Sequence, residues 1–482
     1  MDNEERMSVF QYILNSVSDE GELPEGWSLP AEYTGGEDRW APGAMDGVYL
    51  YHMQAKEPGQ DMQDDILTAV KAASAEAENA AELFADLGRK YRALSAADAL
   101  QQCIITSQDE LDFGNIYEFA VNRLFLGGMD TESVKLGMVI MALIDDPEDI
   151  IRQAVRLMAV CDEFTLFSIF NMLSWEDPNT EIFEVARKVT GWGRIHAVDR
   201  LKPENDEIRQ WLLKEGWHNS IDPNYSALAI LEKCDLPSLL KHHMSRESFS
   251  GAGRILQALL NPGPCGDISA LPDREAIMKD YLSRAAEEKL TLDICRVIFD
   301  IRYWCEVHNG SEDVRKKADA LLTSGDCIRL VQNAVPAPEA LDLAVLLGVP
   351  YQLKLLNALR QDFSSNYPLI RYLMEDPYYR NEVLNLYHEH VPAERLDTAE
   401  TLQSEPLTGL KLSVLLRELE KTPMCGNDYI IHALASPLES YRSTAMKIIN
   451  AWCEKTKKKP EELPEELAEA VRKASDRVGG SD

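Results

Sequence analysis

From about residue 61 onward, apolar positions recur at three- and four-residue spacing, broken at short intervals by a few polar residues. "SVKLGMVIMALI" is followed by "DDPEDIIRQAVRLMAV", then "EFTLFSIFNMLS", "EDPNTEIFEVARKV", "GRIHAVDRL" and "KPENDEIRQWLLKEG". Each segment has the length of an ordinary globular helix, so the pattern predicts a succession of short amphipathic helices. The alanine-rich "AVKAASAEAENAAELFADL", 69–87, has strong helix propensity and extends the prediction upstream. The best strand-like alternation is "GVYLYHM", 47–53, which fits equally a helical turn with Met45, Val48, Tyr49 and His52 on one side.

The breaks share a local formula. Pro147 is followed five residues later by Arg152, and Pro437 five residues later by Arg442, each arginine preceded by an apolar residue and followed by alanine, Ala154 two residues on and Ala445 three. Pro178 keeps the spacing but has Phe183 at the arginine position, Pro203 reaches Arg209 with one extra residue, and Arg315 heads the later half without a proline. Proline near a first helical turn costs little, because the N–H it lacks has no partner there. On these residues the chain resembles the HEAT-like and armadillo-like α-solenoids. In that family a polar turn, often Asp-Pro, leads into a second helix with an apolar-Arg-x-x-Ala pattern. The resemblance implies an all-α superhelix in which alanine lets paired helices approach and each arginine bridges to an acid of a neighbouring unit. It covers roughly 130–455.

The remainder divides around that span. Residues 1–60 are expected to form an N-terminal helix followed by an irregular acidic strap. Its Trp27, Leu29, Tyr33 and Trp40 are too far apart to bury a core alone. The strap either lies ordered across the first helices through those aromatics or is a mobile segment that closes over a groove or binds a partner. Residues 61–130 are expected to be a helical cap, 131–455 the repeats, and 456–482 a capping helix with a frayed tail beyond about 476. Lys455, Lys457, Lys458 and Lys459 sit where a helix ends, and Glu461, Glu462, Glu465 and Glu466 where the next begins, complementing both helix dipoles.

Charge narrows the function classes. The 482 residues carry 81 acids against 49 bases, a formal net charge of -32. Such a chain repels polyphosphate, which argues against nucleic acid and for a basic partner. The first 130 residues hold 25 acids and 8 bases, so over half the excess lies there. Nine scattered cysteines without a Cys-x-x-Cys read as reduced thiols of a cytoplasmic protein. The longest apolar run, 136–144, is too short to span a bilayer, so no membrane role is expected.

Chemistry is sparse. No Gly-x-Ser-x-Gly, His-Glu-x-x-His, EF-hand loop or Gly-Lys dipeptide occurs, and the pairs His242-His243 and His388/His390 diverge on a helix. No cofactor or metal is expected. Deoxyhypusine hydroxylases, enzymes of solenoid form, hold iron with several His-Glu dipeptides, whereas only His388-Glu389 occurs here. "GWGRIHAVDRL" at 191 raises the question of a phosphate cradle, but "GAGRILQALL" at 251 repeats its Gly-x-Gly-Arg-Ile. A repeated start reads as architecture, with glycines ending one helix and letting the next begin close by. Trp192, His196 and Asp199, replaced by Ala252, Leu256 and Leu259 in the second copy, fall on one helical stripe with Arg200 beside it. That stripe is expected either to pack locally, with His196 paired to Asp199, or to form a polar-aromatic contact patch joined by Trp217. The expected function is a non-catalytic protein-interaction scaffold that binds a basic protein or peptide in a solenoid groove. The alternatives are an inhibitor that masks a basic partner and an enzyme working near Trp192, His196 and Asp199.

Overall fold

The computed structural model describes residues 7–24, 26–35, 40–54, 58–398 and 405–479, with side chains to 474. Part of the strap and the end of the tail expected beyond 476 fall outside the described residues. Among them the chain is all-α: helices follow one another from Val9–Leu14 to Glu465–Gly479, and no strand occurs. No described helix is long and apolar enough to cross a membrane. Two compact units result, residues 1–289 with 300–317, and residues 290–299 with 318–482.

The first unit opens on Val9–Leu14, closed at its start by a reciprocal bond pair between Ser8 and Gln11. Tyr12 packs on Trp27 and Tyr33, and the Tyr33 hydroxyl donates to the Met7 carbonyl at 2.9 Å. The strap is thus held across the first helices by its aromatics, although Trp40 is exposed. The alternation at 47–53 forms no strand; it belongs to the helix Ala44–His52.

Further along this unit the helices sort by pattern. Thr131–Met141, Thr165–Met172, Trp192–Arg200, Asn224–Lys233 and Arg246–Leu260 each touch the next in that order. Asp149–Ala159 packs on Thr165–Met172, and Pro178–Lys188 on Trp192–Arg200. The reason is compositional. Thr131–Met141 buries ten of its eleven residues and Thr165–Met172 seven of eight, so both must be covered on nearly every side. Asp149–Ala159 buries only Val155, Met158 and Ala159, and needs one covered face. Side chains tie the series together: Asn171 Nδ2 donates to the Met138 carbonyl at 3.0 Å, and Lys233 Nζ to the Val198 and Leu201 carbonyls at 2.9 and 3.1 Å. A cation on those last carbonyls suits the negative end of the helix.

In the second unit, Pro406–Lys421 packs on Glu439–Thr456, where the buried Trp452 donates its indole N–H to the Leu419 carbonyl at 2.8 Å. Glu465–Gly479, whose Leu467 is buried, packs on Asn427–Ala435. Glu465 and Glu466 open that helix, whereas Glu461 and Glu462 belong to a separate short turn before it.

The prolines stand at or just before a first helical turn, as expected, whereas the arginines pair differently from the expected bridges. Pro178 occupies the first turn of its helix, behind an Asp177 cap, while Pro147 and Pro437 each stand two residues ahead of theirs. The arginines turn back on their own break. Arg152 pairs with Asp146 at 2.9 Å, and Arg442 donates to the Ser436 and Pro437 carbonyls, both at 2.7 Å. Arg209 joins Asp206 and the Pro203 carbonyl, and Arg315 joins Glu312 one turn away. A guanidinium reaches five or six residues back more readily than across to another unit, and the freed carbonyls before a helix are its nearest acceptors.

Candidate functional site

The helix Trp192–Arg200 starts on Gly191, which has no side chain with which to cap it. The cap comes from another turn: Asp162 Oδ1 accepts from the N–H groups of Gly191 at 3.2 Å and Gly193 at 2.6 Å. Gly193 lies so close to Asp162 and Thr165 that a Cβ would collide with both. Burial pushes the Asp162 carboxyl up to about 6, with the two N–H groups pulling the other way. Arg194 is buried and donates to the Val189 and His218 carbonyls at 2.7 and 3.0 Å, its guanidinium lying 5.5 Å from the Trp211 ring. The Gly-x-Gly-Arg start is therefore occupied by the protein itself and offers no free cradle.

The stripe that follows is inter-helical at its start and exposed at its end. Trp192 and His196 are buried beneath Ala44–His52. Gly47 lies against the Trp192 indole with no room for a Cβ. Tyr51 stacks on His196 with centroids 6.2 Å apart, and Tyr225 meets Trp192 edge-on at 4.8 Å. His52 and the Tyr225 hydroxyl, 2.7 Å apart, close the outer side. The expected His196–Asp199 pair does not form. Neither His196 ring nitrogen has a hydrogen-bond partner in the protein, and the Asp199 side chain, 48% exposed, stands 3.4 Å from Arg200. The imidazole is turned under Tyr51, while Asp199 lies a turn further on at the wet end of the helix. Burial first, then the charges of Arg200 and Lys135, hold His196 neutral and depress its pKa to about 3. Arg200 also donates to the His196 carbonyl at 3.1 Å and lies over Phe170.

Beneath this cluster is a charged group that sequence reasoning missed. Lys135, 0% exposed, lies 2.6 Å from Asp46, 2.5 Å from Glu163 and 3.5 Å from Glu132. Arg92 pairs with Glu132 at 2.9 Å, and the backbone N–H groups of Gly43 and Ala93 donate to Glu163 and Glu132 at 2.7 and 2.6 Å. Burial works against the ammonium, but three surrounding carboxylates win and raise its pKa. Burial raises Asp46 in turn, against the pull of Lys135. Through Gly43 and Asp46 this network fastens the strap helix to Thr131–Met141 and to the turn carrying Glu163. One signal stood in the sequence: Lys135 is a lone cation inside "SVKLGMVIMALI".

Trp217 lies apart from the stripe, half-buried beside His218. It lines an open cavity of about 260 Å³ with Asp222, Asn224, Arg254, Gln257 and Asn261. A larger cavity of about 660 Å³ lies along Gln60–Ser74 and Ala93–Thr106, with Gln63, Asp64, Asp98 and Cys103 among its walls. No group of three or more His, Cys, Asp or Glu among the described residues is placed to hold a metal ion. The arrangement as a whole fastens a helix, and it presents Asp199, Arg200, His52 and Tyr225 at its edge. No family model, no curated protein and no solved structure matches this chain.

Proposed function

We propose that this chain is a HEAT-like helical-repeat scaffold of the cytoplasm that binds a basic protein or peptide. The observation that carries the proposal is the serial contact of Thr131–Met141, Thr165–Met172, Trp192–Arg200, Asn224–Lys233 and Arg246–Leu260. Helices that each hide their flanks against the next form a layer, and a layer offers one long face to a partner. The net charge of -32 gives that partner its sign. The exposed Asp199 at the end of the buried stripe is the side chain we assign to first contact, with Tyr225 and His52 beside it. Trp192 and His196 support this edge from below, and Trp217 borders a separate cavity. The separation of His196 from Asp199 weighs against an enzyme built on that pair.

The test is affinity capture from the native host, followed by titration of each purified candidate at about 50 and 300 mM salt. A basic partner whose affinity drops roughly tenfold or more at the higher salt, and drops again with Asp199→Lys, is the expected result. Partners without basic character, or affinities flat with salt, would remove the reading.

A further inference from the structure

The helix Gln60–Ser74 borders two open clefts that differ in charge. The smaller, of about 490 Å³, is shared with Ala80–Tyr91 and holds two carboxylates. Both are already paired, Asp65 with Lys90 at 2.7 Å and Asp86 with Arg89. The larger, of about 660 Å³, is shared with Ala93–Thr106. Asp64 and Leu67 line one wall a turn apart, and Asp98, Ala99 and Cys103 line the other. Leu67, Ala99 and Cys103 are half-buried beside the buried Ile66 and supply the apolar part of the lining, whereas Asp64 and Asp98 are exposed. No lysine or arginine lines this cleft among the described residues, and neither aspartate has an ion-pair partner among them. The Asp64 carboxylate accepts from the Gln60 amide at 2.8 Å. Lys71, one turn past Leu67, is felt by the Cys103 thiol but does not line the cleft.

We propose that the cleft between Gln60–Ser74 and Ala93–Thr106 is a docking groove for an amphipathic helix of a basic protein. Apolar side chains of that helix lie on Leu67, Ala99 and Cys103, and a lysine or arginine beside them meets Asp64 and Asp98. The proposal rests on the basic-partner reading and gives that partner a second point of contact on the first unit. Charge decides the occupant. Carboxylates left without cations next to apolar surface complement a segment that carries both a cationic and an apolar stripe. The neighbouring cleft, with its carboxylates neutralised from within, lacks that demand. Length agrees: the wall from residue 98 to 106 rises about 12 Å, enough for anchors at i, i+3, i+4 and i+7 of a docked helix. The first 130 residues, with 25 acids to 8 bases, add attraction at longer range.

The experiment uses the reduced full-length chain and a synthetic peptide of about 14 residues, with leucines at i, i+3, i+4 and i+7 spacing and lysines beside them. Two counterparts carry glutamate for lysine or serine for leucine. Fluorescence anisotropy follows binding. Alkylation of Cys103 by N-ethylmaleimide reports occupancy of the cleft, with Cys425 and Cys453 of the second unit as reference thiols. The expected result is saturable binding of the leucine–lysine peptide, with both counterparts weaker by about tenfold or more. At saturation Cys103 alkylation slows about fivefold while the reference thiols are unchanged. Asp64→Lys with Asp98→Lys weakens binding about tenfold or more. Glu78→Lys with Glu82→Lys makes the same charge change at exposed acids outside the cleft and weakens it less than about threefold. All four side chains are exposed, so neither double variant disturbs the core. Equal losses from the two double variants, or saturation without protection of Cys103, would overturn the proposal. Protection of Cys103 by the peptide, alongside captured partners that ignore salt and Asp199→Lys, would support the groove while removing the reading at Asp199.

Discussion

Gly191–Leu201 and Gly251–Leu260 share the four letters of Gly-x-Gly-Arg-Ile and use them for different purposes. In the first, the glycines begin a helix, and their N–H groups rest on a carboxylate from another turn. In the second, the glycines lie inside one continuous helix, Arg246–Leu260, with nothing ending between them. Gly251 is there because the Leu213 carbonyl of the adjacent turn presses on it where a Cβ would be. The expectation that both copies end one helix and start another holds for the first alone. Identical residues report close packing in both places, but closeness to a side-chain acid in one and to backbone in the other. The positions that differ matter more. Leu256 is simply core, whereas His196 is an imidazole held without a partner beneath a strap.

The largest expected effect breaks the second copy. Gly→Ala inside a helix ordinarily stabilises by up to about 1 kcal/mol. At Gly251 the Leu213 carbonyl reverses the sign, and we expect a loss of about 3 kcal/mol in denaturant unfolding. A gain in stability would mean the two helices are not in contact there.

The next effects separate the copies by pH. His196, depressed from 6.5 to about 3, binds fewer protons folded than unfolded between those values. It therefore contributes stability at neutral pH that is lost as pH falls through that window, about 3 kcal/mol by pH 4. His196→Leu, which copies the second segment, should abolish that loss. Asp162 acts oppositely: raised from 3.8 to about 6, it is favoured protonated in the fold. Its contribution falls as pH rises from about 4 to about 6, by roughly 2 kcal/mol, and Asp162→Asn should remove that decline. Thermal melting across pH 4 to 7 for the three proteins distinguishes these slopes. Parallel curves would contradict both assignments.

The smallest effects concern the break arginines. Arg442→Ala removes two bonds to carbonyls and should cost about 1 kcal/mol. Arg152→Ala removes a pair with the exposed Asp146 and should cost about 0.5 kcal/mol. A cost of 3 kcal/mol or more for Arg152→Ala would restore the idea of a bridge to a buried acid.

These cases show what a sequence carries and what it hides. Helical periodicity made the all-α class legible, because covering an apolar face is a demand each segment makes alone. "GVYLYHM" fitted strand and helical turn equally, because the partner that fixes its environment, Trp192, lies about 140 residues away. The pairing of His196 with Asp199 was read from helical spacing, which fixes angles along one helix but not what Tyr51 would place above it. The Lys135 network was hidden for the same reason: its members come from residues 46, 132, 135 and 163, and only the lone lysine left a mark. The Pro–Arg spacing was legible as a repeated string, yet its physical role, folding back on its own turn, follows from reach and not from pattern.

The strap helix and the first copy form one fastened element, and the second copy is set apart from it by the intervening helix Asn224–Lys233. Hydrogen exchange of Gly47→Ala against the unmutated chain tests it directly, because the added methyl wedges Ala44–His52 away from Trp192. The account predicts that amides of 44–52 and 192–201 lose protection together while those of 246–260 keep theirs. Undiminished protection at 192–201, or an equal loss at 246–260, would contradict it.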